Sequence, residues 1–193
     1  MDRFDQLLAF LKEIEQMKHI KREIWTPDES RQENDAEHSW HLALYLLVFE
    51  KDLPEGFDLL RALKMALTHD LVEIYAGDTF AFDDEGHKTK DAREQASAQK
   101  LFSQLPPELE EEFTNLWLEF EQAQTREAKF VKSFDTLQAT HMNTISNCHA
   151  LRLHNISLEQ FDAYCGERMN HHPLVNDLYL RLFSTVKEKC APK

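Results

Sequence analysis

His69 and Asp70 stand side by side at the end of a long apolar run, Glu73 follows three residues after Asp70, and Asp78 comes directly after Gly77. A neutral imidazole and a carboxylate are both costly to bury unpaired, and one divalent cation gives each of them a partner. Neighbouring helix residues point about 100° apart, so an ion bound by both must lie between their directions at the inner edge of the helix. Taken alone, the dipeptide is also what an ordinary helix end carries. Glu73 shares the face of His69 and Asp70, and with Asp78 it makes three carboxylates crowding one small region. Such crowding is repulsive unless a cation binds or a proton is shared, which is the arrangement expected of metal-assisted hydrolysis. Upstream, His38 and His41 are three residues apart and fit one ligand plus one packed or hydrogen-bonded ring. Downstream, Asp135 interrupts the apolar stretch Phe130–Leu137, either as a further polar group of the site or as the i, i+3 partner of Lys132.

The elements that must position these groups read as helices. Phe4, Leu7, Leu8, Leu11, Ile14 and Met17 recur at helical spacing over residues 3 to 21. A polar loop runs from Thr26 to Asp35, with Asp35 a candidate N-cap. The chain is then apolar nearly all round from Ala36 to Glu50, the mark of a central helix. Pro54 and Gly56 punctuate a turn, and a second buried helix runs from Leu59 to about Tyr75 with Gly77 ending it. Residues 78 to 90 form the longest irregular segment, rich in Asp, and read as a lid or substrate loop. Helical patterns resume at 91 to 104, 107 to 123, 126 to 148, 157 to 169 and 173 to 189. No period-two run, repeat or linker is visible, so the expectation is one all-α domain over 1–193.

Composition agrees. A chain of 193 residues suits one domain, and 4 Gly with 6 Pro argue against a turn-rich sandwich or barrel. With 22 Lys+Arg against 35 Asp+Glu, the formal net charge of -13 repels polyanions and excludes tight binding along nucleic acid. Cys148, Cys165 and Cys190 are odd in number and far apart, which suggests neither a disulfide framework nor a metal knuckle, and hence a reducing cytoplasm. Neither a signal sequence nor a membrane span is expected.

Glu37-His38, then His69-Asp70-Leu71-Val72-Glu73 with Gly77-Asp78, then the run from Glu127 to Asp135 resemble, in this order, the HD-domain metal-dependent phosphohydrolases. The similarity is greatest to the 5'-deoxynucleotidase branch and extends from about Phe4 to about His141, with the C-terminal helices 157–189 packed on that core. It implies an all-helical HD bundle, a divalent ion such as Mn, Co or Mg, and a homodimer. Carried over by position, the metal ligands are His38, His69, Asp70 and Asp135. The catalytic carboxylates are Glu73 and Asp78, which also mark the place of a second ion in some relatives. The implied reaction removes phosphate from (deoxy)nucleoside 5'-monophosphates by attack of a metal-bound hydroxide. Arg22 matches the nucleotide-holding arginine after one insertion, but Glu23 stands where a tryptophan usually follows it and Trp25 lies two residues on. Because the surroundings are acidic, further cations are needed near the anion, and Lys88, Lys90 and Arg93 are the candidates. The alternatives are HD hydrolysis of a triphosphate, cyclic nucleotide or alarmone, and a non-catalytic nucleotide-binding regulator.

Other signals carry less. Gly86-His87-Lys88-Thr89 lacks the glycine-rich loop of a phosphate-binding motif, His171-His172-Pro173 reads as a helix boundary, and Trp117 to Glu121 as a packed helix. No HExxH or paired ExxH motif occurs, which removes zincin and ferritin-like di-iron readings.

Overall fold

The computed structural model describes residues 2–190. Helix α1 (Arg3–Glu13) starts where Asp2 accepts a hydrogen bond from Asp5 N, then tightens into a 3-10 turn over Ile14–His19 instead of continuing to residue 21. Part of the expected loop is a small antiparallel ribbon, β1 (Lys21–Trp25) and β2 (Gln32–Asn34), with Lys21 opposite Asn34. Elements this short carry no readable period of two. Helix α2 (Asp35–Val48) is capped by Asn34, not Asp35. The Asn34 side chain accepts from Glu37 N at 3.0 Å and Glu37 Oε2 accepts from Asn34 N at 3.2 Å, a closed capping box.

The second buried helix is broken into α3 (Leu59–Thr68), a 3-10 turn at His69–Val72, and α4 (Glu73–Ala76), ended by Gly77 at φ 77°. Residues three apart eclipse one another in a 3-10 turn, which brings Asp70 and Glu73 to one side. Helix α5 (Asp84–Phe102) begins inside the segment expected to be irregular, because the Asp83 side chain accepts from Gly86 N and starts a helix about two turns before the apolar pattern does. Then follow α6 (Pro107–Gln122), α7 (Arg126–Ile145), the unforeseen short α8 (His149–Leu153), α9 (Leu158–Gly166) and α10 (Pro173–Cys190). Among the described residues no helix is long and apolar enough to cross a membrane.

Two apolar clusters hold the bundle. The larger joins Leu42 and Leu46 of α2, Met65 and Ala66 of α3, Phe130, Phe134 and Leu137 of α7, and Val175, Tyr179 and Phe183 of α10. The smaller joins Phe10, Met17, Leu71, Val72, Leu101, Phe102 and Trp117. Ala66 belongs to the first and Leu71 to the second, so His69 and Asp70 occupy the step between them. Burying such side chains stabilises the fold by roughly 1.5–3 kcal/mol each, and polar groups lodged between two such clusters are held in fixed positions. Cys148 and Cys190 form a disulfide, their Cα atoms 5.7 Å apart, while Cys165 is free and buried. This corrects the reading of unpaired cysteines. Packing of α10 back along α7 closes a separation of 42 residues that spacing alone cannot reveal, and the pairing removes the argument for a reducing compartment.

Candidate active site

The two buried histidines are each oriented from behind. His38, wholly buried one turn into α2, donates from Nδ1 to Gln138 Oε1 at 2.9 Å, and Gln138 Nε2 in turn donates to Glu33 Oε1 at 2.9 Å. His69 donates from Nδ1 to the Ala66 carbonyl at 3.0 Å. A carbonyl oxygen only accepts, so both Nδ1 atoms carry a proton, and in the neutral ring each Nε2 presents a lone pair. Those Nε2 atoms are buried without a well-directed hydrogen bond. Carboxylates converge on them: Asp135 Oδ1 lies 3.2 Å and Asp70 Oδ2 3.7 Å from His38 Nε2, and Asp70 Oδ1 lies 3.0 Å from His69 Nε2. Leaving such groups unpartnered costs about 1–3 kcal/mol apiece. Two tethered imidazoles with two carboxylates form a donor set suited to a divalent cation, and His38, His69 and Asp135 place ligand atoms within 4.8 Å of one another.

The electrostatics are those of charge gathered out of water. Burial raises the Asp135 carboxyl, but the His38 hydrogen bond and charge, helped by His69 and Arg22, outweigh it and bring its pKa to about 2. Burial likewise pushes Asp70 up, yet His69 and Arg22 hold it well below the usual carboxylate range. Lys132 does not pair with Asp135; it points to Glu121, 3.4 Å away, and to the Phe120 ring.

A second donor group adjoins the first. Asp35, Glu73 and Asp78 also place oxygens within 4.8 Å of one another. Asp35 is fully buried and neither of its oxygens has a hydrogen-bond partner. Burial and the nearby charge of Asp70 push its pKa up to about 8; burial, Asp70 and Asp35 push Glu73 well above its usual range; burial and Asp70 raise Asp78. Sequence reading missed Asp35 as a site residue because it resembled a cap. The available signal was its place three residues before His38, on the same helix face.

Arg22, on β1, threads between the two groups. Its Nη1 lies 2.8 Å from Asp70 Oδ2, 3.6 Å from Asp35 Oδ1 and 3.8 Å from Asp78 Oδ1, while Nη2 lies 3.9 Å from Asp135 Oδ1. Of the other expected cations, Lys90 lines the same cavity and pairs with Glu94 at 2.8 Å. Lys88 and Arg93 are not among the lining residues. Lys88 pairs with Glu85 on the exposed face of α5, and Arg93 ties α5 to the preceding loop through Ala76 O and Thr79 Oγ1. Lys88 sits on this helix instead of the irregular segment expected, Arg93 on the helix as expected, and helix direction turns both away. The cavity, about 330 Å³, runs from His69, Asp70 and Asp135 to the aromatic side chains Phe80, Phe161 and Tyr164. Glu23 lines its mouth, held by His154 Nε2 at 2.8 Å, whereas Trp25 packs on His149.

The HD-domain profile matches residues 14–174, a span that contains both histidines and every carboxylate just described. The chain belongs to the HD-domain family. Among curated HD-domain relatives, the Bos taurus protein named 5'-deoxynucleotidase HDDC2 is 33% identical over 146 residues, 73% of this chain and 70% of that one. The Dictyostelium discoideum protein of the same name is 30% identical over 188 residues, 93% and 98% of the two chains. A crystal structure from Magnetospirillum magnetotacticum, described as a predicted metal-dependent phosphohydrolase, superposes with a TM-score of 0.88 at 32% identity and covers 97% of each chain. The all-helical HD fold expected from the ordered motif is therefore the fold observed.

Proposed function

We propose that this HD-domain protein is a phosphomonoesterase that removes phosphate from (deoxy)nucleoside 5'-monophosphates. One observation carries the reading: two back-tethered histidines turn unpartnered Nε2 atoms toward Asp70 and Asp135 at the end of a cavity of nucleotide size. The names of the curated relatives support the substrate class. His38, His69, Asp70 and Asp135 hold the divalent ion. When bound, that ion supplies Lewis acidity toward the phosphoryl oxygens and lowers the pKa of water.

The chain's own groups do the rest. Arg22 offers N–H donors to the phosphate in place of the carboxylates it faces alone, and Lys90 adds positive charge along the cavity wall. Asp78 takes a proton from the water whose oxygen adds to phosphorus. Glu73, kept protonated by burial and its acidic neighbours, gives its proton to the 5'-oxygen as the P–O bond breaks, so the nucleoside leaves as an alcohol. The triad Asp35, Glu73 and Asp78 is also the place for a second cation, at which Glu73 would be a ligand. We assign the chain to homodimers, for which the apolar side chains Trp40, Leu47 and Val48 of α2 and Leu60 and Leu67 of α3, each exposed in the single chain, are the contact candidates. Sedimentation equilibrium reads this, and a monomer at every concentration contradicts it.

The substrate class is tested by phosphate release from nucleoside mono-, di-, tri- and cyclic phosphates with Mn, Co or Mg present. The 5'-monophosphates should be turned over best. Exclusive turnover of a triphosphate or cyclic nucleotide would instead assign the site to another HD reaction.

A further inference from the structure

Helix α7 contributes more to the cavity than Asp135. Asp135, Ala139 and Asn143 recur at i, i+4 and i+8, and all three line the cavity. At 1.5 Å rise per residue they stand about 6 Å apart, so Asn143 lies about 12 Å along the helix from the phosphate end. That is comparable to the span from the phosphorus of an extended nucleoside monophosphate to the far edge of its base. The middle position is the alanine methyl, which leaves room for a sugar.

The Asn143 amide has a defined orientation. Its Nδ2 donates to the Ala139 carbonyl at 3.0 Å, and because that carbonyl only accepts, nitrogen and oxygen cannot be exchanged. Its Oδ1 is buried and has no partner, the one α7 side-chain atom among the described residues in that condition. The hydroxyls of Thr136 and Thr140 on the same face are by contrast bonded to Lys132 O and Thr136 O. A buried acceptor without a donor costs free energy, and a ligand N–H relieves that cost. Aromatic side chains line this cavity as well: Phe80 lies 5.4 Å from Phe82, and Phe82 5.2 Å from Tyr164, ring centroid to centroid. An aromatic lining together with one unpartnered amide oxygen matches a nucleobase, which is apolar on its faces and carries N–H donors on its edge.

We infer that this end of the cavity is a nucleobase subsite in which Asn143 Oδ1 accepts a hydrogen bond from a base N–H and so sets base preference. The inference rests on the nucleotidase reading above and adds a specificity residue to it. The test compares kcat/KM for the 2'-deoxynucleoside 5'-monophosphates of A, G, C and T with that for deoxyribose 5-phosphate, which has no base. In the Asn143→Leu variant the ratio for the preferred nucleotide to deoxyribose 5-phosphate should fall about tenfold, the loss of one neutral hydrogen bond. The spread among the four bases should narrow. An unchanged ratio for all four nucleotides overturns the inference while leaving the nucleotidase reading intact. A second measurement needs no variant: methylating the base N–H of the preferred nucleotide should lower kcat/KM for the wild-type protein about tenfold, and equal turnover of the methylated substrate overturns the inference. If the metal-loaded wild-type protein releases phosphate from none of the five compounds, both readings fall together.

Discussion

Asp70→Ala should lose bound metal and phosphatase activity together. Asp70 is the carboxylate shared by both histidines, with oxygens 3.0 Å from His69 Nε2 and 3.7 Å from His38 Nε2, and its removal leaves a donor set short of one anionic ligand. A cation's stabilisation of a phosphoryl transition state is worth several kcal/mol, so the rate should fall at least about 10³-fold. The fold should survive, because Arg22 keeps Asp35, Asp78 and Asp135 within 4.0 Å and one source of repulsion among buried carboxylates has gone. Elemental analysis of the purified variant is the measurement, with Asp70→Asn as the shape-preserving control. Full metal occupancy in both variants would remove Asp70 from the ligand set.

Glu73→Gln has the second-largest expected effect, a fall in kcat of about 10²–10⁴-fold with the primary ion retained. The substitution keeps the shape of a nearly buried side chain and takes away only its titratable proton. Burial, together with Asp70, Asp35 and Asp78, raises the Glu73 pKa, so the proton-donating form persists to higher pH than in a solvated glutamate. Activity of the wild-type protein should therefore decline as pH rises through that raised value, because the acid form is then lost. In Glu73→Gln this alkaline decline should disappear along with most of the rate. If kcat stays near normal in Glu73→Gln but collapses in Asp78→Asn, the two roles are exchanged.

The parts of this site that were legible beforehand lie on helices or on the helical turn that continues one, where spacing limits direction. His38, His69, Glu73 and Asp135 each interrupt or close an apolar helical pattern, and the structure brings them together with Asp70, Asp78 and Arg22. What was not legible depends on contacts between distant segments. Gln138 lies 100 residues from the histidine it orients. Asp35 passed for a cap because capping is local, whereas its burial against Glu73 and Asp78 is set by how α2 meets the His69–Val72 turn. Lys88 and Arg93 were chosen by charge, which carries no direction; the early start of α5 at the Asp83 cap sends them elsewhere. The Cys148–Cys190 bridge follows from α10 folding back along α7, a fact of packing.

The most direct test strips the protein of metal with a chelator and follows phosphate release from a 2'-deoxynucleoside 5'-monophosphate as Mn, Co or Mg is returned. The stripped protein should be inactive, and activity should rise with added metal and saturate as the site bounded by His38, His69, Asp70 and Asp135 fills. Undiminished activity after verified metal removal, or no phosphate release with any of the three metals, would contradict the account.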